Sequence, residues 1–170
     1  MNTVLISVFC PDRTGLIAAI TGTLFDLGAN LGDSSFAVLG AGAEFTSVCA
    51  LPGDLPPEEI RQALAALPEL AAATISVRSY DLDSSQGPSG HVTHRIVVSG
   101  GDRPGLVARL SEVFGEFNAN IVRMDAQRLP EQGLYVTRFA VALTERADAC
   151  LATVANTAGE LHLTCHIEAA

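Results

Sequence analysis

The residues best placed to do chemistry occur twice, as Asp12-Arg13-Thr14-Gly15-Leu16 and as Asp102-Arg103-Pro104-Gly105-Leu106. In each case an apolar run precedes the motif and apolar residues at helical spacing follow it, which places the motif at a strand-to-helix junction. The start of a helix offers unpaired backbone N–H groups and the positive end of the helix dipole, so it favours a carboxylate or a phosphate. Gly15 and Gly105 lack a Cβ, which lets a ligand or another backbone come close. Pro104 suits a first helical turn, where its missing N–H costs nothing. Asn30 and Asn120 lie eighteen residues after the loop aspartates and open the next strand. If that strand runs beside the first, the Asn amide, donor and acceptor at once, returns to the loop. A plainer reading of the same residues stays open at this point. Asp caps the helix, Gly permits a tight turn, Arg is a solvated charge, and Asn ends the first helix in a left-handed conformation.

Other constellations are weaker. Ser99-Gly100-Gly101-Asp102-Arg103-Pro104-Gly105 matches neither a dinucleotide-binding fingerprint nor a P-loop. His162 and His166 would share one face of a strand, with Cys165 on the other, which reads as a surface strand rather than a metal site. Asp33, Ser34 and Ser35 have no matched base for a nucleophilic triad, and the acids occur singly. The expectation is therefore no catalytic residues, no metal ligands and no cofactor.

The elements that must position the two loops follow from an internal repeat. A shift of ninety residues aligns 6–31 with 96–121 without a gap, pairing Ile6 with Ile96, Val8 with Val98, Asp12 with Asp102, Gly15 with Gly105 and Asn30 with Asn120. The chain is a tandem duplication, expected as one module at 1–82, a linker at 83–91 and a second module at 92–170. The polar, Ser-, Gly- and Pro-rich stretch from Asp81 to Gly90 puts the boundary near Gln86.

Each module reads as strand, helix, strand, strand, helix, strand. In the first copy these are 3–9, 16–27 (ended by Gly28), 31–39, 44–51, a helix opened by Pro56-Pro57-Glu58-Glu59, and 73–80. Gly40-Ala41-Gly42 supplies the hairpin turn. In the second they are 94–99, 105–117, 121–129, 133–143, 145–157 and 161–167. The fold class expected is α+β, with two tandem ferredoxin-like modules, each a four-stranded antiparallel sheet carrying two helices on one face. One face of each sheet lacks a helix, so the modules are expected to cover each other and the chain to form a homodimer.

Composition narrows the function. The 170 residues are 48% hydrophobic and 17% charged, enough for a core and too apolar for wholesale disorder. Nineteen acidic and ten basic residues give a net charge of −9, which opposes direct nucleic-acid binding. Every basic residue is Arg. The absence of Lys removes the pyridoxal Schiff-base lysine and the P-loop lysine. Seven Phe, two Tyr and no Trp leave no row of base-stacking platforms. Cys10, Cys49, Cys150 and Cys165 form no C-x-x-C pair and read as reduced, small hydrophobes. The opening residues carry no basic region before Val4-Leu5-Ile6, and no apolar run is long enough to span a membrane, so a cytoplasmic protein is expected.

The paired motif D-R-x-G-L followed by A-N-[LI] resembles the ACT-domain family of small-molecule sensors. It stands here as Asp12 to Leu16 with Ala29-Asn30-Leu31, and as Asp102 to Leu106 with Ala119-Asn120-Ile121. A tandem pair without a catalytic domain is most similar to the glycine cleavage system transcriptional repressor group. That resemblance implies a non-enzymatic regulator that senses a small amino acid, glycine or serine first, and controls a transcriptional-regulator protein by contact rather than by binding DNA. It also implies a ligand lying at a module interface, against the loop residues 12–16 and 102–106 and against Asn30 and Asn120. Serine-sensing ACT domains carry Asn in the loop where this chain has Asp; a carboxylate there favours the ligand's ammonium and repels its carboxylate. The alternatives are an interaction module without a ligand, or a regulatory subunit of a separately encoded enzyme of amino-acid metabolism.

Overall fold

The computed structural model describes residues 2–83, 85, 87–143 and 145–170. The expected boundary residue, Gln86, lies outside the described residues. The chain forms two compact units, Met1–Ser84 and Ser85–Ala170, and each is a complete module.

The first contains β1 (Asn2–Pro11), α1 (Leu16–Asp26), β2 (Asn30–Leu39), β3 (Gly42–Leu51), α2 (Pro57–Ala65) and β4 (Thr74–Ser79). The second repeats the order with β5 (His94–Gly100), α3 (Leu106–Glu116), β6 (Asn120–Leu129), β7 (Leu134–Ala142), α4 (Ala147–Glu160) and β8 (Thr164–Ala169). The sheets run β2-β3-β1-β4 and β6-β7-β5-β8, and every recorded pairing is antiparallel. The ferredoxin-like expectation holds.

Alternation builds each core. On β1, Val4, Ile6, Val8 and Cys10 are buried while their neighbours are not, as a half-buried strand requires. Leu16, Ile20 and Leu24 recur every four residues along α1 and pack on that face. In the second module Leu106, Leu110 and Phe114 of α3 meet Ile96 and Val98, and Phe114 lies 5.3 Å from Phe139 between ring centroids. Pro57, Glu58 and Glu59 open α2, and the carboxylates favour the positive end of its dipole. Arg61 binds Glu58 there and holds its carboxyl at about 2, well below the ordinary range.

Helices α1, α3 and α4 end in one shared geometry. The N–H of Ala29 reaches Leu24 O, that of Ala119 reaches Phe114 O, and that of Leu163 reaches Ala158 O, each at 2.8–2.9 Å. A left-handed residue precedes the donor in every case: Gly28, Asn118 or His162. This is the Schellman closure. It corrects two expectations. The left-handed asparagine is Asn118 rather than Asn120 or Asn30, both of which open strands. His162 belongs to the turn before β8 and not to the strand, because α4 runs through Gly159 to Glu160. His162 and His166 therefore do not share a strand face, and His166 instead meets Glu168 at 2.9 Å.

Candidate functional site

In both modules the loop between the first strand and first helix ends on a left-handed glycine. Gly15 (φ +93°) and Gly105 (φ +81°) stand immediately before α1 and α3 in the left-handed region, which an L side chain adopts only at a cost of about 1–2 kcal/mol. A Cβ on either would meet nothing within 4 Å. Glycine here serves the backbone turn, and no neighbouring backbone of the protein needs the space that the missing Cβ leaves.

Neither helix start carries a side-chain cap, so Asp12 and Asp102 are not capping residues. The first helical hydrogen bonds run from Ala19 to Gly15 O at 3.0 Å and from Arg109 to Gly105 O at 2.9 Å. Ahead of them, the N–H groups of Ile17 and Ala18, and of Val107 and Ala108, have no intrahelical acceptor. These residues line open clefts. The first, about 560 Å³, is lined by the run Asp12 to Ala18 and by Phe36. The second, about 210 Å³, is lined by the run Asp102 to Ala108, Arg128 and Tyr135. Phe36, Arg128 and Tyr135 escaped sequence reasoning. Phe36 pairs with Phe45 and Arg128 with Tyr135 across the hairpins, and only the register brings them to the loop.

The second cleft differs from the first in its electrostatics. Arg128 forms an ion pair with Asp102, whereas Asp12 makes no ion pair among the described residues. Cys10, just before the first loop, is buried, and desolvation raises its thiol pKa despite the opposing charge of Arg13.

The asparagines do not return to the loops. β3 separates β2 from β1, and Asn30 pairs with Ala50, which itself pairs with Thr3 at the start of β1. The loop begins beyond Pro11, eight residues further along, or about 26 Å. Asn120 pairs with Ala142, likewise at the far end of its sheet. Its amide donates to Ser89 O at 2.6 Å. The eighteen-residue spacing carried no information about strand order, which is why the expectation failed.

Two copies of this sheet, helix arrangement and loop define a tandem regulatory-domain protein. The ACT domain model matches residues 4–69 and 94–149, most of the chain, and the protein belongs to that family. An unknown protein from Galdieria sulphuraria is similar in structure, with 22% identity, 99% of this chain and 98% of that chain covered, and a TM-score of 0.75. A structure described as a "putative glycine cleavage system transcriptional repressor" is similar at 13% identity, covering 99% and 97%, with a TM-score of 0.68. At such identities the likeness shows the fold. No curated protein matches the sequence. ACT domains are small-molecule regulatory modules. Among the described residues no group of His, Cys, Asp and Glu is placed to hold a metal ion, and no helix is long and apolar enough to cross a membrane.

Proposed function

We propose that this protein is a non-enzymatic cytoplasmic regulator that binds a small amino acid, glycine or serine, at its β1–α1 loop and its β5–α3 loop. The observation that supports this most is the uncapped helix start beside an unpaired Asp12 carboxylate in one cleft. Backbone N–H groups of the first turn suit the ligand's carboxylate, and Asp12 suits its ammonium a few ångströms away. One small zwitterion satisfies both.

Within a module the asparagine and the loop stand too far apart to share such a ligand. A ligand touching both takes them from two chains, and the assembly proposed is a homodimer. Binding then biases which surface the protein offers, and it does so only through its difference in affinity for the two states. With a net charge of −9 and no Lys, the output passes to a transcriptional-regulator protein by contact rather than to DNA. The direct test is thermal unfolding across a panel of amino acids. A native-state ligand raises the unfolding temperature, and raises it further with the logarithm of its concentration above Kd; no shift with any amino acid would favour a purely structural interaction module.

A further inference from the structure

The duplicated modules differ on the sheet face that carries no helix. In the second module that face is charged. Ile96 and Val98 point into the core, so their alternating neighbours Arg95 and Val97 occupy the opposite face. Register then fixes the rows: Arg95 pairs with Ala140, which pairs with Arg123, and Val97 pairs with Arg138, which pairs with Asp125. Arg95 and Arg123 thus flank a small alanine floor, their Cα atoms two strand spacings apart, about 9.6 Å. The corresponding row of the first module runs Arg78–Leu5–Val48, with a single arginine, on the edge strand β4.

These side chains line a cleft of about 390 Å³, in which Gly90 and Val92 form one wall. Gly90 ends the short 3-10 turn Pro88–Gly90, and the Asn120 amide ties that turn to β6 through Ser89 O. Three of the ten arginines of an acidic chain therefore meet in one cleft. Arg138 is held by Asp125 at 3.0 Å, while Arg95 and Arg123 make no ion pair among the described residues. The nearest further acid on this face, Glu168, pairs in register with Arg95 and accepts a hydrogen bond from His166. Three guanidinium groups against the carboxylates of Asp125 and Glu168 leave this face one positive charge in excess. Val92, Val97 and Ala140 add an apolar surface between them.

We infer that this cleft is a second ligand site, distinct from the loops, for a small dianion: a phosphate monoester or a dicarboxylate held between Arg95 and Arg123. Guanidinium forks bind either group bidentately. Asp125 sets the orientation of Arg138 and limits the charge of the site.

Calorimetric titration of the full chain at low salt tests this, with inorganic phosphate and succinate as separate probes. Saturable binding of one or both is expected, weakened at least tenfold in Arg123→Gln and tightened several-fold in Asp125→Asn, which frees Arg138. The control Arg61→Gln, in the first module, binds as the native protein does, and circular dichroism verifies that each variant is folded. The probe preferred assigns the ligand as phosphorylated or dicarboxylic. No saturable binding of either probe, or unchanged affinity in folded Arg123→Gln, would overturn the proposal. Asp12→Ala leaves this binding intact, so failure here is separable from failure of the amino-acid reading.

Discussion

Arg128 on β6 reaches Asp102 in the β5–α3 loop and neutralises it, whereas Val38, ninety residues earlier, leaves Asp12 without such a partner. The two copies of the motif are therefore not equivalent sites. Both partners of the pair are about half exposed or more, so it adds at most about 1 kcal/mol to stability. Its consequence is functional. Arg128→Ala is expected to leave the unfolding free energy within about 1 kcal/mol of the native value while releasing the Asp102 carboxylate for a ligand ammonium. Calorimetry with glycine and serine should then show a rise in the number of sites, or in affinity at the second loop.

The asparagines are expected to separate in the same way. Asn120 is engaged with Ser89 O at 2.6 Å, and loss of that hydrogen bond costs about 1 kcal/mol. Asn120→Ala should lower stability by that amount and speed proteolysis near residues 88–90. Asn30 has no comparable hydrogen bond among the described residues, so Asn30→Ala should leave denaturant midpoints unchanged. If Asn30 contacts the amino acid, its removal weakens binding by roughly ten- to a hundredfold.

A buried hydroxyl offers a stability prediction. Thr137 is fully buried, and its Oγ1 has no hydrogen-bond partner among the described residues. The first module handles its buried serine differently: Ser47 shares a 2.7 Å hydrogen bond with Ser34 and lies 3.3 Å from the Cys49 thiol. An unsatisfied buried hydroxyl costs about 1–3 kcal/mol. Thr137→Val removes it at nearly constant shape and should stabilise the second module by about 1 kcal/mol. Urea unfolding of the two proteins side by side measures this, and an equal or lower midpoint would mean that the hydroxyl is satisfied in solution.

Burial raises the pKa of Cys10, Cys49, Cys150 and Cys165, the last only half-buried. The folded chain thus holds thiol protons to higher pH than the unfolded chain, whose thiols ionise near 8.5. Above that pH the native state binds more protons, so stability falls as pH rises; below it these groups contribute no pH dependence. Denaturant unfolding between pH 7 and pH 10 should show a plateau followed by an alkaline decline. Replacing Cys49 by Ala or Val should make that decline shallower.

What could be read from the sequence divides along a physical line. Local signals were sufficient for the strand alternation on Val4, Ile6 and Val8, for the helical spacing of Leu16, Ile20 and Leu24, and for the Gly40 turn. The repeat extended them to both halves. The helix expected at 145–157 runs on to Glu160, where the closure uses the left-handed His162. Non-local relationships were not legible. Asn30 and Asp12 are near in sequence but at opposite ends of the sheet, since β3 inserts between β2 and β1. Conversely, Arg95, Arg123 and Arg138 are far apart in sequence and meet only because two strand registers align them. Function here depends on such pairings, so the loops could be found from their motif and the charged cleft could not.

The central claim is that the loop beside α1 receives an amino acid, and calorimetric titration of native protein and Asp12→Ala with glycine and with serine tests it most directly. The account predicts saturable binding of at least one of them to the native protein. Loss of one charge-assisted hydrogen bond, about 1.5–3 kcal/mol, should weaken it by roughly ten- to a hundredfold in Asp12→Ala. Equal affinity in both proteins would place the site elsewhere, and the absence of heat with either amino acid would contradict the account.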